Sequence, residues 1–332
     1  TEKEITTVIK ILDFEQGTNS MSCAAFSPDG CTAVAGDFMH LYVWDIPSGT
    51  ILRTLNINKN ITPQNIAFFP DGNRILTIYN DWSYSIWDIF SGTCLQTFPP
   101  LDNDDIQARA ISSDCNYILT SGLDKKEAKL WETASGRCIK TFGEDLDGVQ
   151  RVAFSPDNRF MLTGEINGDP KVKFWDIENS ECLTTVEGSN SSYAFAISPD
   201  NRLACSPKPT EGLQLWETAT GNVLFTLSNN PIFDKITFST DGRYVVAIRD
   251  DSSGPIQYSV MQTWDVSTGE CVQTYYCPWV SYCFFAFSPG GRFAIAAETG
   301  TAETKLWSVP LLDGNRTFTG ETIAIDSPTS LP

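Results

Sequence analysis

The chain has 332 residues, 41% apolar and 19% charged, and no apolar run approaches the length needed to cross a bilayer. Forty-one acidic against 23 basic residues leave a net charge of -18. That charge repels phosphate backbones and anionic lipid surfaces, which argues against nucleic acid and membrane as partners. No signal peptide is seen at Thr1, and a chain opening on Thr rather than Met is expected to be a processed or an excised fragment of something longer, such as a larger multidomain chain.

In chain order, a short apolar run comes first, "VIKIL" at 8–12. A turn "SPDG" follows at 27–30, then Trp44-Asp45, then a second turn "SGT" at 48–50. These features recur. The first turn returns as "FPDG" at 69–72, "SPDN" at 155–158 and 198–201, and "SPGG" at 288–291. The Trp returns at 87, 131, 175, 216, 264 and 307, in steps of 43, 44, 44, 41, 48 and 43 residues. The second turn returns as "SGT" at 91–93, "SGR" at 135–137 and "TGE" at 268–270. Seven units of about 44 residues result. Each reads as four short strands, such as "VQRVAFS", "RFMLTGE", "KVKFWDI" and "ECLTTVE", alternating with period two.

Trp44-Asp45, Trp87-Asp88, Trp175-Asp176 and Trp264-Asp265 carry the dipeptide that names the WD-repeat family, and the chain resembles that family along nearly its whole length. Glu132 and Glu217 replace the Asp in two units, and Ser308 replaces it in the last. The resemblance implies an all-β fold, a seven-bladed β-propeller of four-stranded antiparallel blades. "VIKIL" matches "CIKTF" at 138–142 at nearly every apolar position, whereas the segment ending at Phe318 has Gly314 and Asn315 where that unit has Cys138 and Ile139. The N-terminal strand, 6–14, is therefore expected to complete blade seven of a single propeller over 1–318, with 319–332 as a tail. WD-repeat arrays look similar in signalling ATPases of the NACHT and apoptosome type, so a sensor segment of such a protein is one expectation.

Cys94, Cys138, Cys182 and Cys271 each follow a Trp by seven residues, so one slot is filled four times. Equivalent slots of a ring lie too far apart for the roughly 5.5 Å Cα separation of a disulfide. Reduced thiols buried as small apolar groups are expected, in a reducing, cytoplasmic compartment. The sequons at Asn60, Asn190 and Asn315 then read as chance matches.

Many family members carry a Gly-His whose imidazole joins a hydrogen-bond network with the Trp indole. Here the sole His, His40, falls in the third strand of the first unit and cannot play that part. Asp81 and Asp169 keep the network's Asp. The indoles must find other partners, because a buried unpaired N–H costs roughly 1–3 kcal/mol.

The sequence carries no catalytic or metal-binding pattern. His40 is placed within a strand, away from any nucleophile pair. No Cys-x-x-Cys occurs, "GEINGDP" and "GEDLDG" lack a calcium ladder, and no Gly-rich loop leads into Lys and Ser or Thr. The acid after each Trp repeats too uniformly for paired-carboxylate catalysis and is assigned to the turn. No enzyme, cofactor or metal is expected.

In a propeller the Pro-Asp-Gly and Ser-Gly turns share one face, uniform here. The loops joining fourth to first and second to third strands share the other and differ in every unit. On that face Asp102, Asp104, Asp105, Glu144, Asp145, Asp147, Glu165 and Asp169 are expected to form an acidic sector. Tyr276, Trp279 and Tyr282 form one expected aromatic group, and Trp82 with Tyr84 a second. The reading is an interaction scaffold or sensor holding a basic protein partner there. The alternative is a small-molecule or ion-binding propeller, or a hydrolase, using the central channel.

Overall fold

The computed structural model describes residues 9–308, apart from 16–20, 58–60, 102–105, 107, 123–126, 144–145, 147, 168, 189–193, 209–210, 231, 234, 240, 252–257, 279–281, 288–292 and 299–302. For 9–15, 250–251, 258–259 and all residues from 275 on, the description covers the backbone alone. The described strands form seven four-stranded antiparallel sheets. Six are meanders within 23–56, 63–98, 108–142, 149–187, 196–228 and 235–278.

The seventh joins the two ends of the chain. Tyr282–Phe287, Phe293–Glu298 and Glu303–Ser308 are completed by Ile9–Glu15, which runs antiparallel to the last of them with Ile9 opposite Ser308 and Glu15 opposite Glu303. The expected closure by the N-terminal strand holds, with that strand at 9–15; residues 6–8, Phe318 and the expected tail lie outside the described residues. The first strand of blade one packs against the first strands of both blade two and blade seven, which closes the ring.

The core lies between blades. Neighbouring residues of a strand point to opposite faces, so Leu130 and Trp131 serve different interfaces. Trp131 packs with Leu76, Ile78 and Tyr84 of blade two, while Leu130 packs with Met161 and Trp175 of blade four. The arrangement recurs with Trp87 against blade one, Trp216 against blade four and Trp264 against blade five. Truncating such a Trp to Ala costs about 3–5 kcal/mol.

The Cys slot corrects the expectation. Cys94, Cys138 and Cys182 are exposed and Cys271 is half-buried. The cause is a bulge in the fourth strand of every blade from one to six. Trp131 lies opposite Cys138 and Leu130 opposite Lys140, so Ile139 is the extra residue. Leu52, Leu95, Leu183, Leu224 and Val272 are its equivalents. All six are exposed. The thiols of Cys94, Cys138, Cys182 and Cys271 each donate across the bulge to the carbonyl two residues on, at 3.6, 3.4, 3.6 and 3.4 Å. Sulfur recurs there because it bridges an irregular backbone, not because it fills a core.

The indoles find hydroxyls. Nε1 of Trp131 donates to Thr120 Oγ1 at 2.8 Å, that of Trp175 to Thr163 at 2.9 Å and that of Trp216 to Ser206 at 2.9 Å. Each hydroxyl sits on the second strand, two residues past the one opposite the Trp. In blade two the same position is Thr77, but Trp87 donates instead to the Tyr79 hydroxyl at 3.1 Å. Asp81 caps its own turn, accepting from the Ser83 backbone and hydroxyl. Blade six has Ala247 in the slot, and the Trp264 indole nitrogen has no hydrogen-bond partner among the described residues.

Candidate interaction face

One face of the ring is consumed by its own turns. In the first turn of blades one, three, four, five and six a Ser hydroxyl donates to the Asp two residues later. The pairs are Ser27–Asp29, Ser112–Asp114, Ser155–Asp157, Ser198–Asp200 and Ser239–Asp241, at 2.6–2.7 Å. The same Asp oxygen accepts a backbone N–H two residues further on. In the second turn the acid after each Trp acts alike: Asp45 accepts from Ser48, Asp88 from Phe90 and Ser91, Asp176 from Asn179 and Asp265 from Ser267 and Thr268. Glu132 and Glu217, one methylene longer, take the hydroxyls of Ser135 and Thr220 instead. The Ser27 and Ser198 hydroxyls hold the Asp29 and Asp200 carboxyls below the usual carboxylate range, and Ser48 and Ser267 do so for Asp45 and Asp265.

The opposite face is built otherwise. Asp102, Asp104, Asp105, Glu144, Asp145, Asp147 and Trp279 lie outside the described residues, as do the side chains of Tyr276 and Tyr282. Asp169 is exposed. Glu165 is buried, with Lys173 Nζ 2.6 Å from its carboxylate, so it is a neutralised structural acid rather than part of an open sector. Tyr84 is corrected too. It is fully buried, stacked on Phe98 with ring centroids 4.4 Å apart, and its hydroxyl donates to the Thr133 carbonyl of blade three at 2.9 Å. It joins two blades.

Trp82 alone of that expected pair faces outward. Half-buried at the second-to-third strand turn of blade two, it holds φ at 65°, a left-handed conformation unusual for so bulky a side chain. Its ring carries the Arg109 guanidinium 5.1 Å from its centroid, and Arg109 Nη2 donates to Gln64 Oε1 at 3.2 Å. Arg109 and Arg151 project from the first strands of blades three and four, and burial, then the charge of Arg151, lowers the Arg109 pKa. Lys235 lies on the first strand of blade six, on the same strand face as the channel-lining Thr237. It keeps solvent-accessible surface yet is ringed by protein, and that desolvation brings its amine down to about 8. These strands surround a channel cavity of ≈ 650 Å³, to which Asn65, Arg109, Phe154, Phe195 and Thr237 contribute. The mouth of the channel thus holds cations in a strongly acidic chain.

A family model, "WD domain, G-beta repeat", matches residues 136–176. Similar proteins include WD repeat-containing protein SL1-17 of Schistosoma mansoni, 28% identical over 49% of this chain and 51% of that one. COMPASS component SWD3 of Saccharomyces cerevisiae is 23% identical over 74% of this chain and 79% of its own. Nuclear distribution protein PAC1 of Arthroderma otae is 27% identical over 50% and 39%. The chain carries the WD repeat and resembles WD-repeat β-propellers. It spans about half or less of the length of several curated relatives it matches.

Within the WD-repeat frame, the sequence reading missed the cations of the channel mouth. Arg109 and Arg151 sit in strands whose neighbours are apolar, "ARAI" and "VQRVAF". A charged residue interrupting the inner strand of a blade was the available signal. The second-strand hydroxyls were missed as well, because a Thr in a strand looks like ordinary β-propensity.

Proposed function

We propose that this propeller is a non-catalytic protein-interaction module that takes a basic segment of its partner on the variable face. The observation that carries the reading is the asymmetry of the two faces. On the uniform face the turn acids are hydrogen-bonded within their own turns, whereas the loops of the other face hold most of the acids that no repeat template requires. In this reading the contacts come from Asp102, Asp104, Asp105, Glu144, Asp145, Asp147 and Asp169, called here the rim acids, with Trp82 as an aromatic anchor and Tyr276, Trp279 and Tyr282 as a second group. A relative supports the class: SWD3 is, by its name, a component of COMPASS. A reducing, cytoplasmic setting accords with the cysteines of the described residues, which are free thiols.

The test compares the protein with a variant in which the seven rim acids become Asn or Gln, using a labelled Arg/Lys-rich peptide and its neutral counterpart. The expected result is binding of the basic peptide that weakens with salt and is lost in the variant. Equal binding by the variant overturns the basic-partner reading. A small molecule in the channel is the second reading, favoured by the ≈ 650 Å³ cavity, a volume within the usual range of ligand pockets.

A further inference from the structure

Arg109 is the unexplained group at the mouth of the channel. Among the described residues no carboxylate lies within ion-pair distance of it; its contacts are the Gln64 amide oxygen and the Trp82 ring. Its charge is partly desolvated and faces a second like charge on Arg151. A partly desolvated cation with no carboxylate beside it among the described residues is unfavourable for the folded chain. Its support is also strained, since Trp82 is held at φ 65°, a conformation that persists only where the surroundings enforce it and that clusters at ligand clamps. The turn enforces it: Trp82 N donates to the Tyr79 carbonyl at 3.0 Å and Leu101 N to the Trp82 carbonyl at 3.3 Å. Two features, a guanidinium with no carboxylate partner among the described residues and an aromatic platform held at positive φ, meet at one point.

The geometry points to a carboxylate-binding position at the channel mouth, where Arg109, over the Trp82 ring, receives an Asp or Glu side chain of an extended acidic peptide segment. A guanidinium over an aromatic face has donors left beyond the one given to Gln64, enough for a forked pair of hydrogen bonds, the geometry a carboxylate matches. Charge selects the ligand further. A phosphate of charge near -2 meets more repulsion than a carboxylate of charge -1 when approaching a chain of net charge -18. Gln64, whose amide oxygen holds Arg109, keeps its amide nitrogen for the ligand, and Arg109 itself lines the ≈ 650 Å³ cavity. The inference rests on the variable face being the binding face, but it assigns to the centre a ligand opposite in charge to the one proposed for the rim.

The experiment uses the full chain and short labelled peptides alike except for a central pair of Glu, Gln or phosphoserine residues, read by fluorescence anisotropy at low and high salt. The Glu peptide is expected to bind more tightly than the Gln peptide. Arg109→Gln is expected to weaken it at least tenfold, and Arg109→Lys and Trp82→Leu by less. Equal affinity for Glu and Gln peptides, unchanged affinity in Arg109→Gln, or preference for phosphoserine overturns the inference. If Arg109→Gln does not fold, Arg109→Lys decides, because it keeps stem and charge and removes only the fork. The seven-acid rim variant is measured in parallel: it should retain the Glu peptide while losing the basic one. Binding of the Glu peptide alone defeats the rim reading, and binding of the basic peptide alone defeats this one.

Discussion

At the scale of single residues, the second-strand hydroxyl under the Trp of blades three to five is the contact whose absence is visible in blade six. Thr120, Thr163 and Ser206 satisfy indoles that would otherwise be buried donors without acceptors. Thr120→Val keeps the shape and removes the acceptor, so stability should fall by about 1–3 kcal/mol. Blade six offers the reverse experiment, because Ala247 is fully buried in the equivalent slot. Ala247→Ser should give the Trp264 indole its partner and raise stability by about 0.5–1.5 kcal/mol. Urea unfolding of both variants checks the pair; a neutral Thr120→Val would mean the indole is satisfied by other means. That some partner was needed was legible from the lack of His. Which residue supplied it was not, since the hydroxyl and the Trp are 10–12 residues apart and meet only through the register of two strands.

Turns and bulges decide the behaviour of the elements. The turn carboxylates of Asp29, Asp45, Asp200 and Asp265 titrate below their ordinary value. A depressed folded pKa means that the contribution is fully present above the unfolded value of about 3.9 and is lost as pH falls through the folded one. Stability should therefore drop as pH is lowered below about 4. Asp29→Asn with Asp200→Asn, which keeps an acceptor and removes the titration, should flatten that decline. A steep, unaltered profile in the double variant would place the acid sensitivity elsewhere. The turns were readable because Pro, Asp and Gly each have a local reason to be where they are. The Cys slot was misread because a bulge turns the side chain outward, and a bulge depends on the partner strand.

For the whole molecule, closure joins the two ends of the described chain. Ile9–Glu15 covers the edge of Glu303–Ser308, which would otherwise present unpaired N–H and C=O groups. Deleting residues 9–15 should lower the midpoint of thermal unfolding and produce concentration-dependent association through the opened edge. Unchanged unfolding and a monomeric deletion variant would show that blade seven stands without that strand. The charge map also belongs to this scale. A net charge of -18 describes the chain, yet Arg109, Arg151 and Lys235 lie on the inner strands around its axis.

The sequence alone determined the number of blades, their strands, the turn chemistry and the closing strand, because a repeat writes each local rule several times and in phase. Tertiary structure decided what a single position cannot show. It buried Tyr84 between blades, neutralised Glu165 with Lys173, turned the cysteines outward, and brought Trp82, Gln64 and Arg109 together from two blades. Template residues obey local sterics and hydrogen bonding, whereas the mouth of the channel exists only where neighbouring blades converge.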